Sequence, residues 1–180
     1  PVLFNARRYA GNALVREIRG FGFKPDLLWV KSRTSGVNHR LMDSLRRDIY
    51  FLESNTDAAE SDDSSGLRRL VNDGFEVGVD DSTYVNDPSN KYIAWGWKAG
   101  GEPSGILAHD SELAFGDGSD YTGLTTGAGS ISDTATGVSK VESLTQSVSQ
   151  ASGFSITKYT GAVSTGDATF HIILVELPTL

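Results

Sequence analysis

The hydrophobic pattern of this chain is that of β-strands, and it is clearest over residues 91–101, KYIAWGWKAGG. Successive side chains of an extended segment point to opposite faces. Ile93, Trp95 and Trp97 therefore share one face, and Tyr92, Ala94, Gly96 and Lys98 share the other. A covered indole buries on the order of 150–250 Å². The first reading of the tryptophan face is a pair of core side chains beneath a second apolar layer. The second is an aromatic platform for a sugar or a partner. Periodicity alone does not choose between them.

The same period-two signal recurs along the chain. Residues 27–31 form an apolar strand that Pro25 can precede but not interrupt. Residues 40–52 are read as two short strands around a turn near 46–48, although Leu41, Leu45 and Ile49 also fit helical spacing. Residues 12–19 fit a helical turn or an alternating strand, and 55–66 read as a polar, acidic loop. Asp73-Gly74 is a turn signal before residues 75–79, where Phe75, Val77 and Val79 alternate as in a half-buried strand. Strands are also expected over 139–149, 154–159 and 170–177; the last, apolar on both faces, reads as central in its sheet. Between them, residues 102–135 are mostly Gly, Ser, Thr and Asp and read as a long excursion contacting neighbouring subunits. Short strands separated by Gly, Asp, Asn and Ser turns predict an all-β fold, an antiparallel β-sandwich or jelly roll, formed by residues 1–180 as a single domain.

One pattern repeats. Phe4, Tyr9 and Gly11 have the spacing F-x4-Y-x-G, and so do Phe154, Tyr159 and Gly161. Each is followed by an apolar strand, which fits a duplicated hairpin or a module repeated along a longer chain; chance recurrence of common residues is the alternative.

Composition narrows the chemistry. The 180 residues contain no cysteine, which excludes disulfides and thiolate chemistry, and no apolar run long enough to insert in a membrane. The net charge of −7 opposes broad phosphate binding, so nucleic acid is not an expected partner. The charge is uneven. Residues 1–70 hold 12 basic and 9 acidic side chains, whereas 71–180 hold 4 and 14. The two parts either neutralise each other within one domain or meet head to tail between subunits.

No arrangement of residues points to catalysis. His39, His109 and His171 lack metal-ligand spacing, and neither a nucleophile elbow nor a phosphate or dinucleotide loop occurs. The chain is therefore read as a non-enzyme without a cofactor. Two acidic stretches, 57–63 and 116–120, are candidates for calcium, but neither has the EF-hand register, and solvated turns are the better reading. The adjacent pairs Arg7-Arg8, Arg46-Arg47 and Arg68-Arg69 would point to opposite faces of a strand and are read as ion-pairing residues rather than phosphate clamps.

Several segments, taken in order, resemble a family of tailed-phage virion structural proteins. They are GFKPDLLWVKSR at 22–33, HRLMDSLR at 39–46, LESNT at 52–56 with Ala59-Glu60, NDGFEVG at 72–78, YIAWGWKAGG at 92–101 and GFSITKYTG at 153–161. Arg47 stands where that family usually places a glycine. The resemblance implies a tail-fibre or tail-associated module, or a head-decoration protein. It implies location in the virion, homo-oligomerisation and contacts with other virion proteins, and it brings no catalytic residues. A host-surface glycan is the alternative ligand. The candidate ligand or interface residues are Trp29, Trp95, Trp97 and Tyr121, with Tyr84 as a further exposed-aromatic candidate for glycan binding.

Overall fold

A computed structural model describes residues 1–79, 83–102, 126–132 and 141–161. The described strands are β1 (Phe4–Ala10), β2 (Arg16–Arg19), β3 (Leu27–Ser32), β4 (Arg40–Asp43), β5 (Tyr50–Phe51), β6 (Ser61–Asp62), β7 (Leu67–Val71), β8 (Gly74–Val77), β9 (Lys91–Trp97), β10 (Thr126–Ser132), β11 (Val141–Ser149) and β12 (Phe154–Gly161). The fold is all-β and every strand pairing is antiparallel. The chain divides into two compact units, Pro1–Lys98 and Ala99–Leu180, where the sequence pattern led us to expect one domain.

The first unit is a sandwich. One sheet has the order β1-β9-β3-β4 and the other β2-β8-β7, with β5-β6 as a small hairpin beside them. β9 is central: Trp95 pairs with Ala6 on β1 and with Trp29 on β3. The inward face of the first sheet supplies Leu28, Val30, Met42, Tyr92 and Ala94, and the second sheet supplies Ile18, Leu67, Leu70, Phe75 and Val77. These side chains form one core with Phe21 and Val85.

Alternation on β9 thus resolves in the direction opposite to the core-tryptophan reading. The buried residues are Tyr92, Ala94 and Gly96, while Ile93, Trp95 and Trp97 are half-buried on the outer face. The physical reason lies across the core. Phe21, wholly buried, places its ring over Gly96, and a Cβ at residue 96 would stand 2.7 Å from a Phe21 ring carbon. A large residue has no room at that position, so the face of β9 that carries Gly96 turns inward with Tyr92 and Ala94, and the face that carries the tryptophans turns outward.

Phe21 is positioned by the turn between β7 and β8. Asp73 adopts a left-handed conformation (φ 67°), which Asp tolerates better than most residues. Its carboxylate accepts hydrogen bonds from the backbone N–H groups of Gly22 (2.6 Å) and Gly20 (3.0 Å), and its carbonyl accepts from Gly20 and Phe21. These bonds hold the 20–22 loop against the hairpin. The Gly22 N–H, opposed by partial desolvation and aided by Gly20, Arg19 and Arg7, holds the Asp73 carboxyl below its ordinary value of 3.8.

A second tie runs through Asn86, which is fully buried. Its side-chain amide donates to the carbonyls of Leu14 (2.9 Å) and Gly78 (2.7 Å), and its side-chain oxygen accepts from the Asn12 N–H (3.1 Å). Beside it, Tyr9 and Tyr92 stack with centroids 5.2 Å apart. The Tyr9 hydroxyl donates to the Val85 carbonyl, and that of Tyr92 donates to the Thr83 carbonyl.

Several expectations are revised here. β8 is buried on both faces: Phe75 and Val77 join the core, Glu76 on the other face is engaged by Arg68 and Arg69, and Val79 is exposed beyond the strand's end. The 55–66 loop contains the two-residue strand β6. Of the two readings of residues 12–19, the strand is the one formed, as β2.

The described residues of the second unit form a meander, β10-β11-β12. Its β10 falls inside the stretch read as an excursion; Gly and Ser side chains leave little apolar alternation to announce it. The Ser147 hydroxyl accepts from the Gly100 N–H (2.9 Å) and donates to the Gly101 carbonyl (2.7 Å), which fixes the start of this unit against β11. A 3-10 turn, Gln150–Ser152, and Gly153 (φ 61°) lead into β12. The two F-x4-Y-x-G segments coincide with β1 and β12, strands of different sheets in different units. The expected strand over 170–177 lies outside the described residues.

Two outcomes test this packing. Gly96→Ala should destabilise the protein by about 1–3 kcal/mol, the usual cost of overpacking a core, read as a lower urea midpoint; an unchanged midpoint would show that Phe21 does not press on β9. Because the Asp73 pKa is depressed by folding, its stabilisation is present above 3.8 and lost as pH falls through the lower folded-state value. Asp73→Asn should therefore lower the urea midpoint at pH 7, and the difference from wild type should close in acid. A difference that persists at pH 2 would assign the loss to shape rather than charge.

Candidate functional site: the outer face of the four-stranded sheet

The register builds this face in rows. Leu27 on β3 and Phe4 on β1 flank Trp97; Trp29 and Ala6 flank Trp95; Lys31 and Arg8 flank Ile93. Leu41 on β4 extends the middle row beyond Trp29. All three tryptophans of the chain thus lie on one sheet face, two of them directly opposite each other. The ring centroids of Trp29 and Trp95 are 5.6 Å apart at 54°, and those of Phe4 and Trp97 are 5.0 Å apart at 47°. The tilt is the geometry aromatic quadrupoles favour over face-to-face stacking. Phe4 is 51% exposed, a high value for so large an apolar residue.

The face is apolar at one end and cationic at the other. Arg8 and Lys91 are exposed there. The Lys31 ammonium instead turns to donate to the carbonyls of Ser32, Ser35 and Val37, at 2.9–3.1 Å, and so folds the β3–β4 loop over itself.

Trp29 has a specific anchor. Its indole N–H donates to Nδ1 of His39, 2.9 Å away, and the two rings lie 5.5 Å apart. An indole N–H only donates, so Nδ1 is the bare nitrogen and Nε2 carries the proton. Burial, reinforced by the Lys31 charge, pushes the His39 pKa below its ordinary value of 6.5. The His39 backbone N–H donates to the Asn55 side chain, which in turn donates to Asn38. Asn38 and Thr56 both donate to Glu53. Sequence reasoning found no metal-ligand spacing at His39 and did not connect it with Trp29, ten positions away; no motif marks the pair.

Arg40, the neighbour of His39, points into the other side of the sheet. Its guanidinium lies between the rings of Phe51 and Tyr84, 3.8 and 3.7 Å from their centroids, and pairs with Glu53. Tyr84, read as a candidate exposed aromatic, is half-buried in this stack and contributes to the fold. A second apolar patch surrounds the Asn86 tie, where Leu14, Val15 and Val79 are exposed. Tyr121, His109 and His171 lie outside the described residues.

The arginine pairs are drawn into ion pairs where they are near acids. Arg46 pairs with Asp43 and Glu60, and both Arg68 and Arg69 pair with Glu76. Of the acidic stretch at 57–63, Glu60 is engaged with Arg46, and Asp63 accepts from the backbone N–H groups of Ser65 and Gly66. Among the described residues no three His, Asp or Glu side chains converge to hold a metal ion. The 116–120 stretch lies outside the described residues.

Charge follows the division into units more closely than the division at residue 70. Pro1–Lys98 contains 14 basic and 14 acidic residues, and Ala99–Leu180 contains 2 and 9. The whole net charge of −7 therefore belongs to the second unit.

No curated protein and no solved structure matches the chain. A family does match, over residues 2–109, which takes in every strand of the sandwich and all three tryptophans. The chain belongs to the family described as a domain of unknown function, DUF7483.

Proposed function

We propose that the chain is a structural module of a tailed-phage particle, and that it assembles with copies of itself and with other virion proteins through the outer face of the β1-β9-β3-β4 sheet. The observation that carries this reading is the set of three tryptophans and Phe4 gathered on the face that the core does not use. Aromatic residues concentrated away from the core are characteristic of protein interfaces, where a few of them supply most of the binding energy. Arg8 and Lys91 at the edge of the same face, with the acidic character of the second unit, favour contact between copies. The resemblance of the ordered segments to those of phage virion proteins supports the particle as the setting. The mechanism is assembly, without a chemical step.

The test is the mass of the full chain by light scattering across a concentration series. Wild type should form a single defined oligomer. Trp95→Ser combined with Phe4→Ser should weaken association at least tenfold, since truncating a central aromatic typically costs about 2 kcal/mol or more, while far-UV circular dichroism stays unchanged. A wild-type chain that remains monomeric, and that captures no other virion protein, would overturn the proposal.

A second reading rests on the Trp29–Trp95 pair, where two indoles lie beside the imidazole of His39. Such a combination of flat apolar and polar groups suits a saccharide. Titration with host-surface polysaccharide should then quench tryptophan emission in wild type and not in Trp29→Ala. Equal responses in both proteins would place binding elsewhere.

A further inference from the structure

We propose that His39 is a proton-operated latch on the outer face: as a neutral imidazole it holds the Trp29 indole, and on taking a proton it releases it. The inference does not depend on what the face binds. It rests on the direction of one hydrogen bond. The Trp29 indole N–H reaches Nδ1 at 2.9 Å, and the indole has no acceptor with which to reverse the bond. A proton taken from solvent adds to Nδ1, the only unprotonated ring nitrogen. The imidazolium then presents N–H groups on both sides, and two donors face each other where one bond had been.

The surroundings give the imidazolium little to compensate it. Lys31, on the same strand as Trp29, acts on the ring as a like charge. Arg40, on β4, turns inward and is matched by Glu53. Glu53 itself accepts from Arg40, Asn38 and Thr56. Around the ring, Asn55 meets the His39 backbone rather than the imidazole, and Asn38 is bonded to Glu53 and Asn55. Among the described residues no carboxylate is hydrogen-bonded to the His39 ring.

The consequence reaches the neighbouring row. Trp29 stands directly opposite Trp95, with their rings 5.6 Å apart, so a freed indole alters the surface that Trp29, Trp95 and Leu41 present together. The switch operates below the ordinary imidazole value of 6.5, because folding favours the neutral form. The sign follows from linkage: the stabilisation is complete above 6.5 and is lost as pH falls through the lower folded-state value.

The test is a pH titration of the full chain from 8 to 4.5, following the Trp29 indole N–H and the His39 ring by ¹⁵N–¹H NMR. The neutral ring should show the proton on Nε2, and the Trp29 indole signal should move in one step that coincides with the His39 titration. His39→Asn places an amide oxygen near the position of Nδ1 and cannot titrate in this range, so its Trp29 signal should stay near the neutral wild-type position throughout. His39→Phe should place it near the acid position at every pH. An indole signal that does not move while His39 titrates would overturn the proposal, as would an equal step in His39→Asn. The wild-type tautomer decides the matter even if neither variant folds: a ring protonated at Nδ1 at pH 8 is incompatible with the latch.

Discussion

The Phe21 ring lies close against the backbone of β9 at Gly96, and much of the arrangement follows from that contact. A fully buried ring occupies the space above the strand, so the inward residues of β9 near it must be small. The ring also meets Phe75 of the opposite sheet edge-on, with centroids 6.0 Å apart, and so spans the two layers. Its own position depends on the Asp73 turn, which holds the loop on either side of it. Turn, loop, ring and strand therefore form one continuous chain of contacts. With the inside of β9 committed to Phe21, its tryptophans are left for the outside.

The strands themselves were largely legible in the sequence. Alternation and turn residues located the strands around residues 27–31, 91–97 and 154–159, and the two short strands around a turn between 40 and 52. What failed was information that no local pattern carries. Val79 continues the alternation of Phe75 and Val77, yet the strand ends before it, and the face of β8 opposite the core is buried at Glu76, where Arg68 and Arg69 pair with it. β10 escaped because its sequence, TGAGSIS, holds one large apolar residue and so shows no alternation; the strand is defined by its pairing with β11.

Of the candidate face, the tryptophans were legible in the sequence, and the contributions of Phe4 and His39 and the arrangement of the rings were not. The candidate residues Trp29, Trp95 and Trp97 do come together on one face. Sequence periodicity separated the faces of β9 correctly, but the choice of which face is buried was made by Phe21, more than 70 residues away in the chain. Weighing the two faces by apolar area alone favours the tryptophans as core, and the geometry reverses that choice. The link between His39 and Trp29 was beyond reach for a related reason: it depends on the β3–β4 loop, which Lys31 folds by donating to three of its carbonyls.

β1 stands at the end of its sheet and carries Arg7 and Arg8 side by side. An antiparallel copy of the same strand laid along this edge would bring guanidinium groups against one another, and like charges directly opposite each other oppose pairing. The Arg7 side chain is also drawn aside to the Gly20 carbonyl, and Arg16 reaches back to that of Ala10. The edge is thus guarded against strand-by-strand growth of the kind that leads to fibrils. Contacts between chains are then confined to surfaces of defined shape.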